Sequence, residues 1–336
     1  MHDTGTGLLL LILAALMNAS FSLPVKLTRR WKWENTWFVW SVFALILLPR
    51  LVTVLTVPDL RGIYHQAGSG IVLVVGLFGF AWGIAQVLFG VALEVIGIAL
   101  TFSTVLGLSA AMGGLIPLVS QHRDQVFTPA GLTTLAGIAL VVAGVSICAV
   151  AGRMRERAQP RGEASGMPFA QGLAIAAASG VCASMMNFGV AFGKPLITAA
   201  AQAGAQPYWT VNTVWVPLLL GGAFPNIAYC LYLMRKNRTA DNFRLPGTGS
   251  YWGLALVMAA FWFGSSLLYG AASIKLGDLG AVLGWPLFMS LIVIVASLLG
   301  VATGEWKSTG NGPLRIQLSG VLVLVAAVVV LSRASQ

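Results

Sequence analysis

Residues 77–97 read LFGFAWGIAQVLFGVALEVIG, and residues 257–277 read VMAAFWFGSSLLYGAASIKLG. Set 180 positions apart, Trp82, Phe89, Gly90 and Gly97 of the first fall on Trp262, Tyr269, Gly270 and Gly277 of the second. Each stretch lies in a long apolar run that turns straight back into another. Nearby offsets pair Asn18 with Asn187 and Gly137 with Gly320. A fixed long repeat dictates architecture. Each copy here holds five apolar segments, and because five is odd the second copy enters the membrane upside down. Inverted repeats of membrane helices characterise secondary transporters, which place their site between the repeats near the bilayer midplane.

Composition agrees with that reading. The 336 residues are 57% hydrophobic and 9% charged, whereas soluble domains carry about a quarter charged residues. Crossing about 30 Å of hydrocarbon takes roughly 20 apolar residues. Ten segments qualify, near 6–26, 36–56, 70–93, 97–119, 130–151, 169–193, 208–234, 250–273, 278–301 and 314–332. None alternates as a barrel strand would. The expected class is an all-α integral membrane protein of ten transmembrane helices in two inverted five-helix repeats. The repeats cover 1–151 and 169–336, and a linker rich in Arg, Gly and Pro (152–168) joins them. The first segment lacks a basic leader, and Lys26, Arg29, Arg30 and Lys32 follow it, which suits a retained helix better than a cleaved signal. Cys148, Cys182 and Cys230 lie within apolar segments and read as packing residues.

The net charge of +10 is a topology signal rather than a nucleic-acid footprint. Fourteen of the twenty basic residues cluster in loops around 26–32, 153–161, 235–244 and 307–315, and six flank the other side. Basic loops stay cytoplasmic, so both termini are expected in the periplasm of a bacterial inner membrane. The same loops suit contact with anionic membrane lipid. An integral membrane enzyme is the rival of a different class. Yet His2, His65 and His122 all lie in tails or loops, and no paired carboxylates, nucleotide loop or zinc spacing occur. A dispersed Ser-His-Asp set needs no contiguous motif, but with every histidine outside the helices the enzyme ranks below transport. No metal or cofactor is expected.

The polar residues at membrane depth are neutral. Asn18, Gln86, Asn187 and Ser266 lie among Trp82, Trp262, Tyr269 and Trp285. Amides and hydroxyls serve the hydroxyl groups of a sugar, and indole faces cover its C–H face, so these eight form the candidate substrate site. The plain alternative is packing, which enriches small and hydroxyl residues in membrane helices anyway. Gly79/Gly83, Gly189/Gly193 and Gly300/Gly304 read as such faces. Trp31, Trp33, Trp37, Trp209, Trp252 and Trp306 lie near segment ends and read as an interfacial belt. Buried amides cost more, which favours a role for Asn18, Gln86 and Asn187. Segment seven, with Pro217, Gly221, Gly222 and Pro225, is expected to be the most broken, and Gly284-Trp285-Pro286 to bend segment nine.

The carboxylates near the membrane are Glu34, Glu94, Asp278 and Glu305. Each lies near a segment end, where solvation explains it; Glu94 and Asp278 are the best placed for coupling to an ion. Lys26 ends segment one and Lys194 ends segment six on the opposite side. Each either snorkels to the interface or helps close its own mouth.

These residues bring a family into view. Residues 24–37, PVKLTRRWKWENTW, resemble the first cytoplasmic loop of the L-rhamnose–proton symporters. So do Leu77–Gly83 with Phe89-Gly90, Gly193-Lys194-Pro195 and Gly304-Glu305-Trp306-Lys307. The resemblance spans almost the whole chain. It implies the drug/metabolite transporter fold, with helices one to four and six to nine around the substrate. It also implies uptake of L-rhamnose, or a related deoxy or pentose sugar, driven by an ion gradient through alternating access. Export or exchange of another neutral metabolite is the alternative on the same scaffold. Proton-coupled members of the family carry an acid just before the ninth-helix tryptophan. Here 278–285 reads DLGAVLGW, in which that acid is either displaced to Asp278 or absent, so both the substrate and the coupling ion, proton or sodium, stay open.

Overall fold

Among the described residues, ten helical segments are long and apolar enough to cross a membrane. We label them α1 (Thr4–Val25), α2 (Trp33–Thr56), α3 (Ser69–Leu93), α4 (Leu100–Gln121) and α5 (Pro129–Arg155) in the first half. The second half supplies α6 (Phe169–Gln202), α7 (Pro207–Asn237), α8 (Gly249–Lys275), α9 (Gly280–Ala302) and α10 (Asn311–Arg333). The computed structural model describes residues 3–157, 167–277, 279–302, 304, 306 and 311–334. All ten expected segments are present. The helix that carries α5 runs on to Arg157, so the first residues of the expected linker 152–168 are helical.

The chain divides into two compact units. One comprises Met1–Ala15, Leu88–Asn187 and Ala272–Gln336, and so holds α4, α5, α9 and α10 with the starts of α1 and α6 and the ends of α3 and α8. The other comprises Leu16–Val87 and Phe188–Ala271, built on α2 and α7 with the remainders of α1, α3, α6 and α8. The turns that close α3 and α8 use a matching device. Gly97 has φ +82° and Gly277 φ +83°, a backbone region that favours glycine.

Small residues let backbones approach in the second unit, as expected of membrane helices. A methyl group at Gly222 would lie 2.7 Å from the Trp82 ring, and one at Gly83 would meet the Gly222 carbonyl and Pro225. A methyl at Gly189 would meet Leu218. These contacts confirm Gly79/Gly83 and Gly189/Gly193 as packing faces.

The expected break in α7 is absent, and α6 is the interrupted helix. From Asn212 to Asn237 α7 is continuous through Pro217 and Pro225. Proline at 217 deprives the Thr213 carbonyl of its helical donor, and the Tyr64 hydroxyl donates to that oxygen at 3.0 Å. A borrowed donor thus keeps the helix intact. By contrast α6 runs as Phe169–Ala183, Met185–Phe192 and Lys194–Gln202, broken at Ser184 and Gly193. In α2 the turn Val42–Leu47 widens to π geometry ahead of Pro49, a local adjustment that accommodates proline. Tyr64 belongs to a short amphipathic helix, Leu60–Ala67, capped by Asp59 accepting from the Gly62 N–H at 3.0 Å.

Candidate functional site

Trp82 of α3 and Trp262 of α8 meet in the second unit. Their rings stack at 5.5 Å between centroids and 29° between planes, and both are buried. Trp40 of α2 stands edge-on to Trp262 at 5.3 Å and 79°. Trp37 and Trp33 continue the row along α2, at 4.3 Å and then 5.1 Å between centroids. Positions 33, 37 and 40 share one helix face, which is why a single helix can carry three indoles to one place.

Neutral polar groups surround this row. Trp37 Nε1 donates to Asn226 Oδ1 at 3.0 Å, and Asn226 Nδ2 donates to the Gly222 carbonyl at 2.9 Å. Asn18 Nδ2 donates to Ser265 Oγ at 3.0 Å, while Ser265 Oγ donates to the Trp262 carbonyl at 2.6 Å. Ser266 Oγ donates to that same carbonyl at 3.2 Å. Gln86, one turn beyond Trp82, is half-buried and makes no hydrogen bond among the described residues. Tyr269 is fully buried, its ring 6.4 Å from that of Trp215. Six of the eight candidate substrate residues therefore lie in this unit: Asn18, Trp82, Gln86, Trp262, Ser266 and Tyr269.

Asn187 and Trp285 lie in the other unit and tie helices together. Asn187 Nδ2 donates to the carbonyls of Gly113 (2.8 Å) and Ala281 (2.9 Å), on α4 and α9. Gly113 is four residues before Pro117, so its carbonyl is the one that the proline frees. Trp285 Nε1 donates to Ser109 at 3.1 Å (carbonyl) and 3.2 Å (hydroxyl), and its ring covers Gly113, where a methyl group would collide with it. A buried amide that serves backbone freed by proline is explained by packing.

Lys26 lies in the 3-10 turn Leu23–Leu27, and Glu94 in the last turn of helix Ser69–Ile96. Their side chains, Glu305 and Asp278 lie outside the described residues. Lys194 is exposed at the start of the last piece of α6. Glu34 departs from the solvated carboxylate expected at a helix end. It is only 4% exposed and accepts from Asn237 Nδ2 (3.0 Å) and Thr239 Oγ1 (2.8 Å) at the end of α7. Trp31 likewise leaves the interfacial belt. Buried against Phe243, Tyr251 and Trp252, it donates from Nε1 to the Asn242 carbonyl at 3.1 Å. Among the described residues no three His, Cys, Asp or Glu side chains come together to hold a metal.

Sequence reasoning reads Trp37 as an interfacial-belt residue, gives Trp40 no role, and counts Asn226 among the polar residues at membrane depth without placing it in the candidate substrate set. The i, i+4, i+7 spacing of Trp33, Trp37 and Trp40 was the signal that could have found the first two.

Ten apolar spans among the described residues, and a neutral aromatic and amide cluster within the second unit, make this a multi-pass membrane protein of the transporter class. The family described as L-rhamnose-proton symport protein matches residues 3–335, and the chain belongs to it. Its relatives include an L-rhamnose-proton symporter of Cronobacter sakazakii, 29% identical over 96% of this chain and 95% of that protein. Others of that name, from Salmonella paratyphi B and Salmonella newport, are 27% identical over 94% of each chain. A protein of known crystal structure shares the fold with a TM-score of 0.56 at 16% identity, over 98% of this chain and 99% of its own. The family is one of transporters, not enzymes.

Proposed function

We propose that this chain takes up L-rhamnose, or a closely related deoxy or pentose sugar, across the bacterial inner membrane with a proton, by alternating access. The observation that carries the reading is the stacked Trp82–Trp262 pair beside half-buried Gln86 and the Asn18–Ser265 pair. An apolar lining with a few placed polar groups is how a small-molecule site is usually built. Indole faces suit the C–H face and methyl group of a deoxy sugar, and neutral amides suit its hydroxyls. The names of the relatives supply the particular sugar and ion.

The reading includes an inverted repeat of 1–151 and 169–336 in the drug/metabolite transporter fold. The left-handed glycines Gly97 and Gly277, 180 positions apart, support it. So does the membership of the two units, in which each piece taken from the first half is joined by its counterpart from the second. Glu94 or Asp278 is then the proton carrier, with Lys26 and Lys194 at opposite mouths. The test is counterflow and pH-driven accumulation in proteoliposomes with a panel of labelled sugars. L-rhamnose should accumulate down an imposed proton gradient. Exchange without accumulation would indicate an exchanger, and movement of no sugar at all would overturn the reading.

A further inference from the structure

Two tryptophans of the second unit are buried without a partner for the indole N–H. Trp40 is 1% exposed and Trp215 is fully buried, and neither Nε1 makes a hydrogen bond among the described residues. An indole nitrogen can only donate, and a buried donor left unpaired loses its hydration for nothing, so native structures contain few of them. Three other tryptophans of this chain do find acceptors: Trp31, Trp37 and Trp285. The Trp40 and Trp215 nitrogens are instead among the few buried side-chain polar atoms without a partner among the described residues.

Their positions are related. Trp40 and Trp215 are 175 residues apart, between the 169 that separate Asn18 from Asn187 and the 180 that separate Trp82 from Trp262. They occupy equivalent places in the proposed repeat, each about two turns from the start of its span. Five crossings separate α2 from α7, so the two spans run in opposite directions through the bilayer. The two N–H groups therefore lie toward opposite faces of the membrane. Both also reach the same face of α8, where Trp262, Ser266 and Tyr269 follow one another at i, i+4 and i+7. Trp40 touches Trp262 at one end of that row and Trp215 touches Tyr269 at the other. The row thus has an unused donor at each end and the Trp82 stack against its Trp262 end.

We propose that the Trp40 and Trp215 N–H groups are hydrogen-bond donors to hydroxyl oxygens of the transported sugar. One serves the state open to the cytoplasm and the other the state open to the outside. This rests on the sugar-transport reading and adds two specificity residues to it. No covalent step is involved: the N–H groups keep their protons, and each exchanges a dry, unpaired state for a bond to an acceptor the substrate brings. A site that leaves a donor unpaired without its ligand also discriminates against analogues that lack the matching hydroxyl.

The test uses full-length protein in proteoliposomes of defined orientation, with L-rhamnose transport measured separately from each side. Trp40→Phe and Trp215→Phe keep a ring and remove the donor. Each should raise KM from one side by roughly five- to a hundredfold, and the two variants should affect opposite sides. If a phenylalanine variant does not fold, 3-benzothienylalanine at the same position keeps the indole shape without the N–H. Packing alone, including an N–H directed at a neighbouring ring face, predicts unchanged KM from both sides for these isosteres. That result with an active wild type would overturn the proposal. A wild type that moves no sugar would instead overturn the reading on which it rests.

Discussion

Trp82 and Trp262, 180 residues apart, stack on one another with ring planes 29° apart. Two positions related by a twofold repeat that also touch must lie close to its axis. The proposed repeat therefore puts this stack at the centre of symmetry, where an inverted-repeat transporter keeps its substrate. In the conformation seen here the indoles cover each other, so a sugar must part them or lie beside them.

Replacing Trp82 or Trp262 by Ala, or Gln86 by Leu, should therefore weaken L-rhamnose binding. The expected loss is about tenfold or more for each indole, the scale of one aromatic contact. Isothermal titration of purified protein measures it, with size-exclusion profiles to establish that the variants remain folded. Wild-type affinity in all three would make the repeated tryptophans packing residues only.

Asn187 is predicted to behave in the opposite way. Its amide serves the carbonyls of Gly113 and Ala281, so Asn187→Ala leaves the proline-freed Gly113 carbonyl without a donor inside the membrane and removes a second bond to Ala281. The expected cost is about 1–2 kcal/mol of stability, the usual range for interhelical bonds in lipid, with unchanged sugar affinity. A thermal-shift assay paired with titration reads both. Lost affinity at unchanged stability would return Asn187 to the substrate site.

The contrast between these residues marks what was legible in the sequence. Apolar length fixes a span because backbone in lipid must satisfy itself, so all ten segments could be read directly. The meeting of Trp82 and Trp262 was legible in the matching spacing of 77–97 and 257–277, since the proposed repeat would bring equivalent positions to one axis. Asn187 could not be sorted in that way, because its partners are backbone carbonyls 74 and 94 residues away, and no composition reveals a carbonyl freed by Pro117. The expected break in α7 failed for the same reason. Pro217 announces a break, and the rescue comes from the Tyr64 hydroxyl, 149 residues from the carbonyl it serves.

Glu34 offers a test at the membrane surface. Its carboxylate holds Asn237 and Thr239 at the end of α7. Glu34→Ala should destabilise the protein by about 1.5–3 kcal/mol, as loss of hydrogen bonds to a charged group does. Glu34→Gln, which keeps an acceptor oxygen, should cost less. Equal melting of wild type and both variants would mean that the carboxylate is solvated after all.

Orientation follows from the fourteen-to-six split of basic residues. Reporter fusions after Gln159 and Arg238 should report cytoplasm, and those after Gln121 and Gln202 the periplasm. The reverse pattern would turn the protein over in the membrane without touching the repeat.

Coupling is the sharpest test of the uptake reading. A carboxylate that loses water as a mouth closes has its pKa raised, because burial disfavours the charged form. It then takes up a proton on the side where protons are abundant and releases one where water returns. Glu94, in the last turn of its helix before Gly97, and Asp278, immediately after Gly277, flank the two glycine turns that match across the repeat. A carrier of this kind is needed for accumulation but not for exchange, since exchange at equal sugar concentrations requires no net proton movement. Glu94→Gln or Asp278→Asn should accordingly abolish pH-driven accumulation of L-rhamnose and spare counterflow. Loss of both activities would mark the residue as part of the substrate site or the fold. Full accumulation in both variants would show that neither carries the proton, and a sodium gradient substituted for the pH gradient would then reveal whether the coupling ion is sodium instead.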